Sequence, residues 1–200
     1  MEFILESADI SDYLKADKYT DFHDNSIRQK ADELFAPLSN EQEKIKADFE
    51  YVHDEISHSG DIDSERVTKT ASEALKYKEG ICITKSLLLA AILRYGGIPA
   101  GLCYQRLTRG DTPDTGYILH GLNAVFLSEQ NKWIRLDARG NKQNVDAQFC
   151  VNEEKIAYPV RAEYGEVDYP EIYVNPHVRV MEGLEKYINR REYSFDISEI

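Results

Sequence analysis

Three side chains in this sequence have the types, order and surroundings for nucleophilic chemistry: Cys82, His120 and Asp137. Cys82 follows Gly80-Ile81 and stands just before the apolar run Leu87 to Leu93. A thiol in the first turn of a helix meets unpaired backbone N–H groups and the positive end of the helix dipole, and both favour the thiolate. His120, within Tyr117 to Leu127, is a candidate base for that thiol. Asp137 closes the segment Trp133-Ile-Arg-Leu-Asp137, and a carboxylate there can hold the imidazole tautomer and stabilise the imidazolium. Each has a plainer reading. Cys82 could be a buried structural cysteine, His120 a histidine satisfied by backbone, and Asp137 an exposed strand-end carboxylate paired with Arg135 or Arg139. Occurring together and in this order, the three favour chemistry. Cys103 in mid-strand and Cys150 in an unmarked segment read as structural.

The elements that must position these groups are legible in the apolar spacing. Ile27, Ala31, Leu34 and Phe35 lie on one helical face, which predicts a helix from Ser26 to Phe35 closed by Pro37. Ser39-Asn-Glu-Gln42 fits a capping box. It opens a helix with Ile45, Phe49, Val52 and Ile56 on one stripe, ending near Ser57. Residues 60–70 read as a loop and Ala71 to Lys78 as a short helix. The Leu/Ala-rich segment after Cys82 is apolar on every face, so it is expected to be a buried helix stopped by Gly96-Gly97 and Pro99.

Beyond Pro99 the period changes. Ala100 to Leu107, Tyr117 to Leu127 and Trp133 to Asp137 read as strands. A hairpin of the last two would bring positions 120 and 137 together. His120, Leu122, Ala124 and Phe126 share one face by period 2, which predicts that His120 points to the side of the sheet on which the buried helix lies. Ile156 to Val160 is expected to be a further edge strand, residues 161–176 an aromatic, Pro-containing loop, Val178 to Ile188 a helix and 190–200 a polar tail. The arrangement is α+β: N-terminal helices, one of them buried and central, packed on a mostly antiparallel sheet. With no repeat and no clear linker, residues 1–200 are expected to form one domain.

The run from Gly80 to Ala100 resembles the core of the transglutaminase-like superfamily. It has that family's Gly-x-Cys turn, its Leu/Ala-rich helix and its Arg-x-x-Gly-Ile-Pro-Ala exit, written here Arg94-Tyr-Gly-Gly-Ile-Pro-Ala100 with one extra glycine. The resemblance covers about residues 40–140. It implies a papain-like fold and a Cys82–His120–Asp137 triad acting through a thioester, with no cofactor and no metal. The activity it implies is hydrolysis of a peptide or protein amide, as in a cysteine protease, or transfer of a glutamine acyl group to an amine. The chain departs from the family where Gly121-Leu122 replaces the usual Ala-Trp after the histidine, which removes an aromatic wall. The backbone N–H of Cys82 is one expected oxyanion donor, and Tyr77, His58 and Asn123 are candidates for a second. The rival reading is a catalytically silent domain of the same fold that binds a peptide or partner protein.

Composition excludes several classes. A net charge of −12 disfavours nucleic acid and anionic membrane surfaces as partners. No apolar run approaches the roughly 20 residues of a membrane span, and Met1 to Ile10 lacks the marks of a signal peptide. Three cysteines without CxxC spacing suggest free thiols in a reducing compartment, so the expected location is the cytoplasm. His53 and His58 are five apart, about 140° around a helix, which does not suit zinc. Asp61, Asp63 and Glu65 lack the glycine and terminal glutamate of a calcium loop and read as a solvated acidic loop.

Overall fold

The computed structural model describes residues 2–110, 112–189 and 200. Strand β1 (Ile4–Leu5) is followed by helices α1 (Asn25–Phe35) and α2 (Glu41–Glu55). Next come strand β2 (Ser57–His58), helix α3 (Ala71–Tyr77), strand β3 (Glu79–Gly80) and helix α4 (Cys82–Tyr95). Strands β4 (Ala100–Thr108), β5 (Tyr117–Leu127) and β6 (Lys132–Leu136) follow, and then β7 (Val167–Asp168), β8 (Glu171–Ile172) and helix α5 (Val178–Lys186). The main sheet has the order β6-β5-β4-β7 and is antiparallel throughout. Two short parallel pairs, β1 with β8 and β2 with β3, stand beside it. Of the expected tail at 190–200, all but Ile200 lies outside the described residues.

Helix α4 is the axis of the fold. Every side chain from Ile83 to Arg94 is buried, as a helix apolar on all faces must be. Helices α1, α2 and α3 pack on one side of it and the sheet on the other, closing one apolar core. Arg94 is buried because its guanidinium has carbonyl acceptors in three places. Nε donates to Ala100 O at 2.9 Å, Nη1 to Lys15 O at 2.7 Å and Nη2 to Val174 O at 2.6 Å. A fork of fixed donors can join three chain segments in a way that lysine cannot.

Some local expectations change. Asn40, not Ser39, caps α2, its side chain accepting from Gln42 N and Glu43 N. Ile156 to Val160 forms no strand. The fourth place in the sheet goes to β7, inside the region expected to be loop, and β8 pairs there with β1. The strands at 167–168 and 171–172 are two residues each, too short to leave an alternation in the sequence.

The sheet face carrying His120 also differs from expectation. Leu122 and Ala124 pack with Tyr13, Cys103 and Ile172 in a second, smaller core, away from α4. The helix lies against the other face, where Asn123 Nδ2 donates to Ser86 O at 3.0 Å and Leu119, Val125 and Leu127 join the main core. Period 2 correctly groups His120 with Leu122 and Ala124, but both faces of this sheet are apolar and covered. Alternation alone therefore could not tell which face meets α4.

Candidate active site

The nucleophile position is made by backbone. Strand β2 runs parallel to β3 with His58 opposite Gly80, and Ser59 N donates to Gly80 O at 3.0 Å. The chain then turns through Ile81 into α4. Gly80 fits because a Cβ there would lie 2.5 Å from Thr84 Oγ1. Ile81 occupies the N-cap position with no side-chain cap hydrogen bond, so the first N–H groups of α4, that of Cys82 among them, are not taken up by a capping side chain.

Cys82 and His120 meet at a strand edge. Strand β6 ends at Leu136, opposite Asn123, so the stretch of β5 at 119–121 has no strand partner on that side. The start of α4 fills the gap. Cys82 Sγ stands 4.0 Å from Leu119 O and accepts a hydrogen bond from the Gly121 N–H. Gly121 allows the approach, because a Cβ there would lie 2.6 Å from Ile83 Cδ1.

Asp137 follows β6 by one residue. Extending the register places it opposite Leu122, on the face that carries His120 and diagonal to it. His120 Nε2 bonds Asp137 Oδ2 at 2.8 Å, and both residues are buried. The other ring nitrogen, Nδ1, is left for the thiol, and the two side chains are hydrogen-bond partners. Asp137 has two more donors: Arg139 N at 3.1 Å on Oδ1 and Ala157 N at 3.0 Å on Oδ2. The ring of Tyr158 meets the imidazole edge to face, with centroids 5.1 Å apart. The plain reading of Asp137 as an arginine-paired surface carboxylate does not hold. Arg135 pairs with Glu154 and Asp168, and the Arg139 side chain goes to Asp61.

The electrostatics follow from these contacts. Burial pushes the Cys82 thiol up, but the hydrogen bond and charge of His120, with the Gly121 N–H, outweigh it and hold the thiol below its ordinary value. Burial pushes His120 down, but the Asp137 carboxylate and the Cys82 sulfur raise it to about 10. Burial raises Asp137, yet the His120 charge and three hydrogen bonds keep it below the usual carboxylate range. All three shifts favour a thiolate–imidazolium pair over thiol and neutral imidazole.

The sulfur opens onto a cleft of about 590 Å³ whose apolar wall includes Leu107, Ile118, Val145 and Ala157. Of Tyr77, His58 and Asn123, the candidates for a second oxyanion donor, only His58 lines it. Its Nδ1 accepts from Gly60 N at 3.1 Å, which leaves the proton on Nε2. Burial, with the charge of Arg139, pushes His58 down to about 2, so it stays a neutral donor. Tyr77 is exposed with Arg66 stacked on its ring at 3.8 Å, and Asn123 is consumed by Ser86 O and Gly101 O beneath α4. A buried lysine, Lys85, lies one turn after Cys82 and donates to His53 O and Ile56 O, tying α4 to the end of α2 from which His58 emerges. Burial and the charge of Arg139 press it down to about 7. Asp61 is no idle loop acid, since it takes both Arg139 and Lys142. The roles of Asp61, Lys85 and Tyr158 depend on contacts between distant segments, which no local pattern reveals. Cys103 and Cys150 lie elsewhere, in the second core and near Lys132 to Arg135.

A cysteine at the head of a buried helix, facing a histidine and a carboxylate carried by an antiparallel sheet, defines the papain-like class of thiol-enzyme folds. Within it the chain belongs to the Transglutaminase-like superfamily, whose family model matches residues 28–138. No curated protein matches it. Among solved structures it is similar to one titled a putative cysteine protease from Cytophaga hutchinsonii, with 19% identity and a TM-score of 0.54, over 66% of this chain and 43% of that one. It is also similar to the periplasmic domain of TgpA from Pseudomonas aeruginosa bound to ethylmercury, with 20% identity and a TM-score of 0.48, over 63% of this chain and 46% of that one. The chain thus spans less than half the length of either.

Proposed function

We propose that this domain performs cysteine-dependent acyl chemistry on a peptide or protein amide. The observation that carries the reading is the hydrogen bond from His120 Nε2 to Asp137, which leaves Nδ1 to the thiol of Cys82 at the uncapped start of α4. Membership of the superfamily supports it independently.

In the first half-reaction the Cys82 thiolate attacks the amide carbonyl carbon and the carbonyl π pair moves to oxygen. The Cys82 N–H and the His58 Nε2–H are the donors on hand for that oxyanion. The His120 imidazolium protonates the amide nitrogen, the C–N bond breaks, an amine leaves and a thioester remains on Cys82. In the second half-reaction neutral His120 takes a proton from water as its oxygen attacks the thioester carbonyl. The C–S bond then breaks and acid and thiolate are released. A primary amine in place of water gives a new amide. Asp137 stays ionised and stabilises the imidazolium in both halves. Hydrolysis is the preferred outcome for a domain of this size, by analogy with the family.

The test is to trap the thioester. The protein is mixed with an activated peptidyl ester, acid-quenched and measured by intact and peptide mass. An acyl adduct on Cys82, released by hydroxylamine and absent in Cys82→Ala, is expected. Turnover unchanged in Cys82→Ala would overturn the reading by removing Cys82 as nucleophile, and the absence of both adduct and turnover in the folded wild type would overturn it in favour of the silent, peptide-binding domain.

A further inference from the structure

The cleft runs against the charge of the rest of the molecule. The chain carries 36 acidic and 24 basic residues, yet the cleft is lined by four basic side chains, Arg109, Arg139, Lys142 and Arg161, and one acidic one, Glu166. Their pairings leave an excess. Arg161 and Glu166 are a matched pair at 2.7 Å. Arg139 and Lys142 share a single carboxylate, Asp61, at 2.5 and 2.9 Å. Arg109, the residue after β4, is exposed and forms no ion pair among the described residues. Among the described residues the rim therefore holds two positive charges more than Asp61 and Glu166 balance, on a protein whose net charge is −12.

We infer that the cleft selects acidic peptides, with Arg109 and Lys142 reading Asp or Glu side chains that flank an apolar residue seated near Cys82. Guanidinium and ammonium groups at the rim of a cleft with apolar walls focus the potential and match carboxylates geometrically. Rim charges of this kind set selectivity and encounter rate more than total affinity. The matched Arg161–Glu166 pair stiffens the wall, with Glu166 also accepting from Thr108 N at 3.0 Å and Thr108 Oγ1 at 2.8 Å. The paired wall leaves the discrimination to the two exposed cations. The inference takes from the proposed function only that a peptide is the occupant.

The test is binding, kept separate from chemistry. Two fluorescent peptides of equal length and identical apolar centre, one flanked by Asp and Glu and the other by Lys, are titrated into Cys82→Ser protein by anisotropy. At roughly 50 mM salt the acidic peptide is expected to bind about tenfold tighter or better, with the preference shrinking as salt rises. The double variant Arg109→Glu, Lys142→Glu is expected to reverse the order. Equal binding, tighter binding of the lysine peptide, or an unchanged ratio in the double variant overturns the inference. None of these outcomes bears on thioester trapping, and failure to trap a thioester leaves this binding test standing.

Discussion

His120 Nε2 and Asp137 Oδ2 lie 2.8 Å apart in a site where both residues are buried and, among the described residues, no arginine side chain competes for the carboxylate. The two come from neighbouring strands, and the arrangement depends on β6 stopping at Leu136. Continued pairing past Asp137 would occupy the β5 edge at 119–121, where Cys82 now sits. The short third strand therefore serves two ends, presenting Asp137 and vacating the edge for the thiol.

Asp137→Asn tests the tautomer. The amide NH₂ would face Nε2 and move the ring proton to Nδ1, so the imidazole could no longer accept from the thiol. Acyl transfer should fall on the order of 10²- to 10⁴-fold. The pH midpoint for Cys82 alkylation should rise toward the ordinary thiol value of about 8.5. Circular dichroism would show whether the fold persists, and unchanged turnover in a folded variant would remove Asp137 from the account.

The pH profile of kcat/KM should be a broad bell. Cys82 lies below its ordinary value, so activity should rise on the acid side as its thiolate forms. His120 is raised to about 10, so activity should fall as the imidazolium loses its proton there. The stability contribution of the pair has its own sign. His120, raised in the fold, contributes stability at pH values below its unfolded pKa and loses it as pH rises through about 10. Asp137, lowered in the fold, contributes above its unfolded pKa and loses it on acidification. Stopped assays across this range, with melting curves alongside, check both limbs.

Gly121→Ala should disrupt the site from beneath. The new methyl would meet Ile83 Cδ1 at 2.6 Å, forcing α4 away from β5. A loss of about 1–3 kcal/mol in stability is expected. The double variant Gly121→Ala, Ile83→Val should recover part of it. Equal melting temperatures for Gly121→Ala and wild type would refute the close packing.

Asp48 is a cost carried in α2. It is fully buried, neither carboxylate oxygen has a hydrogen-bond partner among the described residues, and burial drives its pKa well above the usual range. An acid raised in the fold weakens folding once pH exceeds its unfolded value. Asp48→Asn should therefore stabilise at pH 7 by on the order of 1–3 kcal/mol, with the gain fading toward pH 4. Urea denaturation at the two pH values measures it, and a gain independent of pH would contradict a raised Asp48 pKa in the fold.

Much of this was legible in the sequence because the carriers are local. The Leu-rich run after Cys82, the stripe from Ile45 to Ile56 and the alternation of Tyr117 to Leu127 each declare an element through its own period. The superfamily follows from them and from the Arg94 to Ala100 exit. What lay hidden depends on partners far along the chain. The covering of both sheet faces concealed which one meets α4, and β7 and β8 are too short to announce themselves. The Ala157 N–H on Asp137, the Tyr158 edge on His120 and the Asp61 clamp on Arg139 join segments whose proximity only the fold creates.

The central claim is that Cys82 rests as a thiolate because of His120. It is tested most directly by the rate of iodoacetamide alkylation of each cysteine across pH 4–10, read by peptide mass in wild type and His120→Ala. The account predicts that Cys82 reacts well below pH 8.5 in wild type and loses that reactivity in the variant. Cys103, which burial pushes up to about 12, should stay inert until the protein unfolds. A Cys82 that reacts no faster than Cys103 in the folded protein, or equally fast with and without His120, would contradict the account.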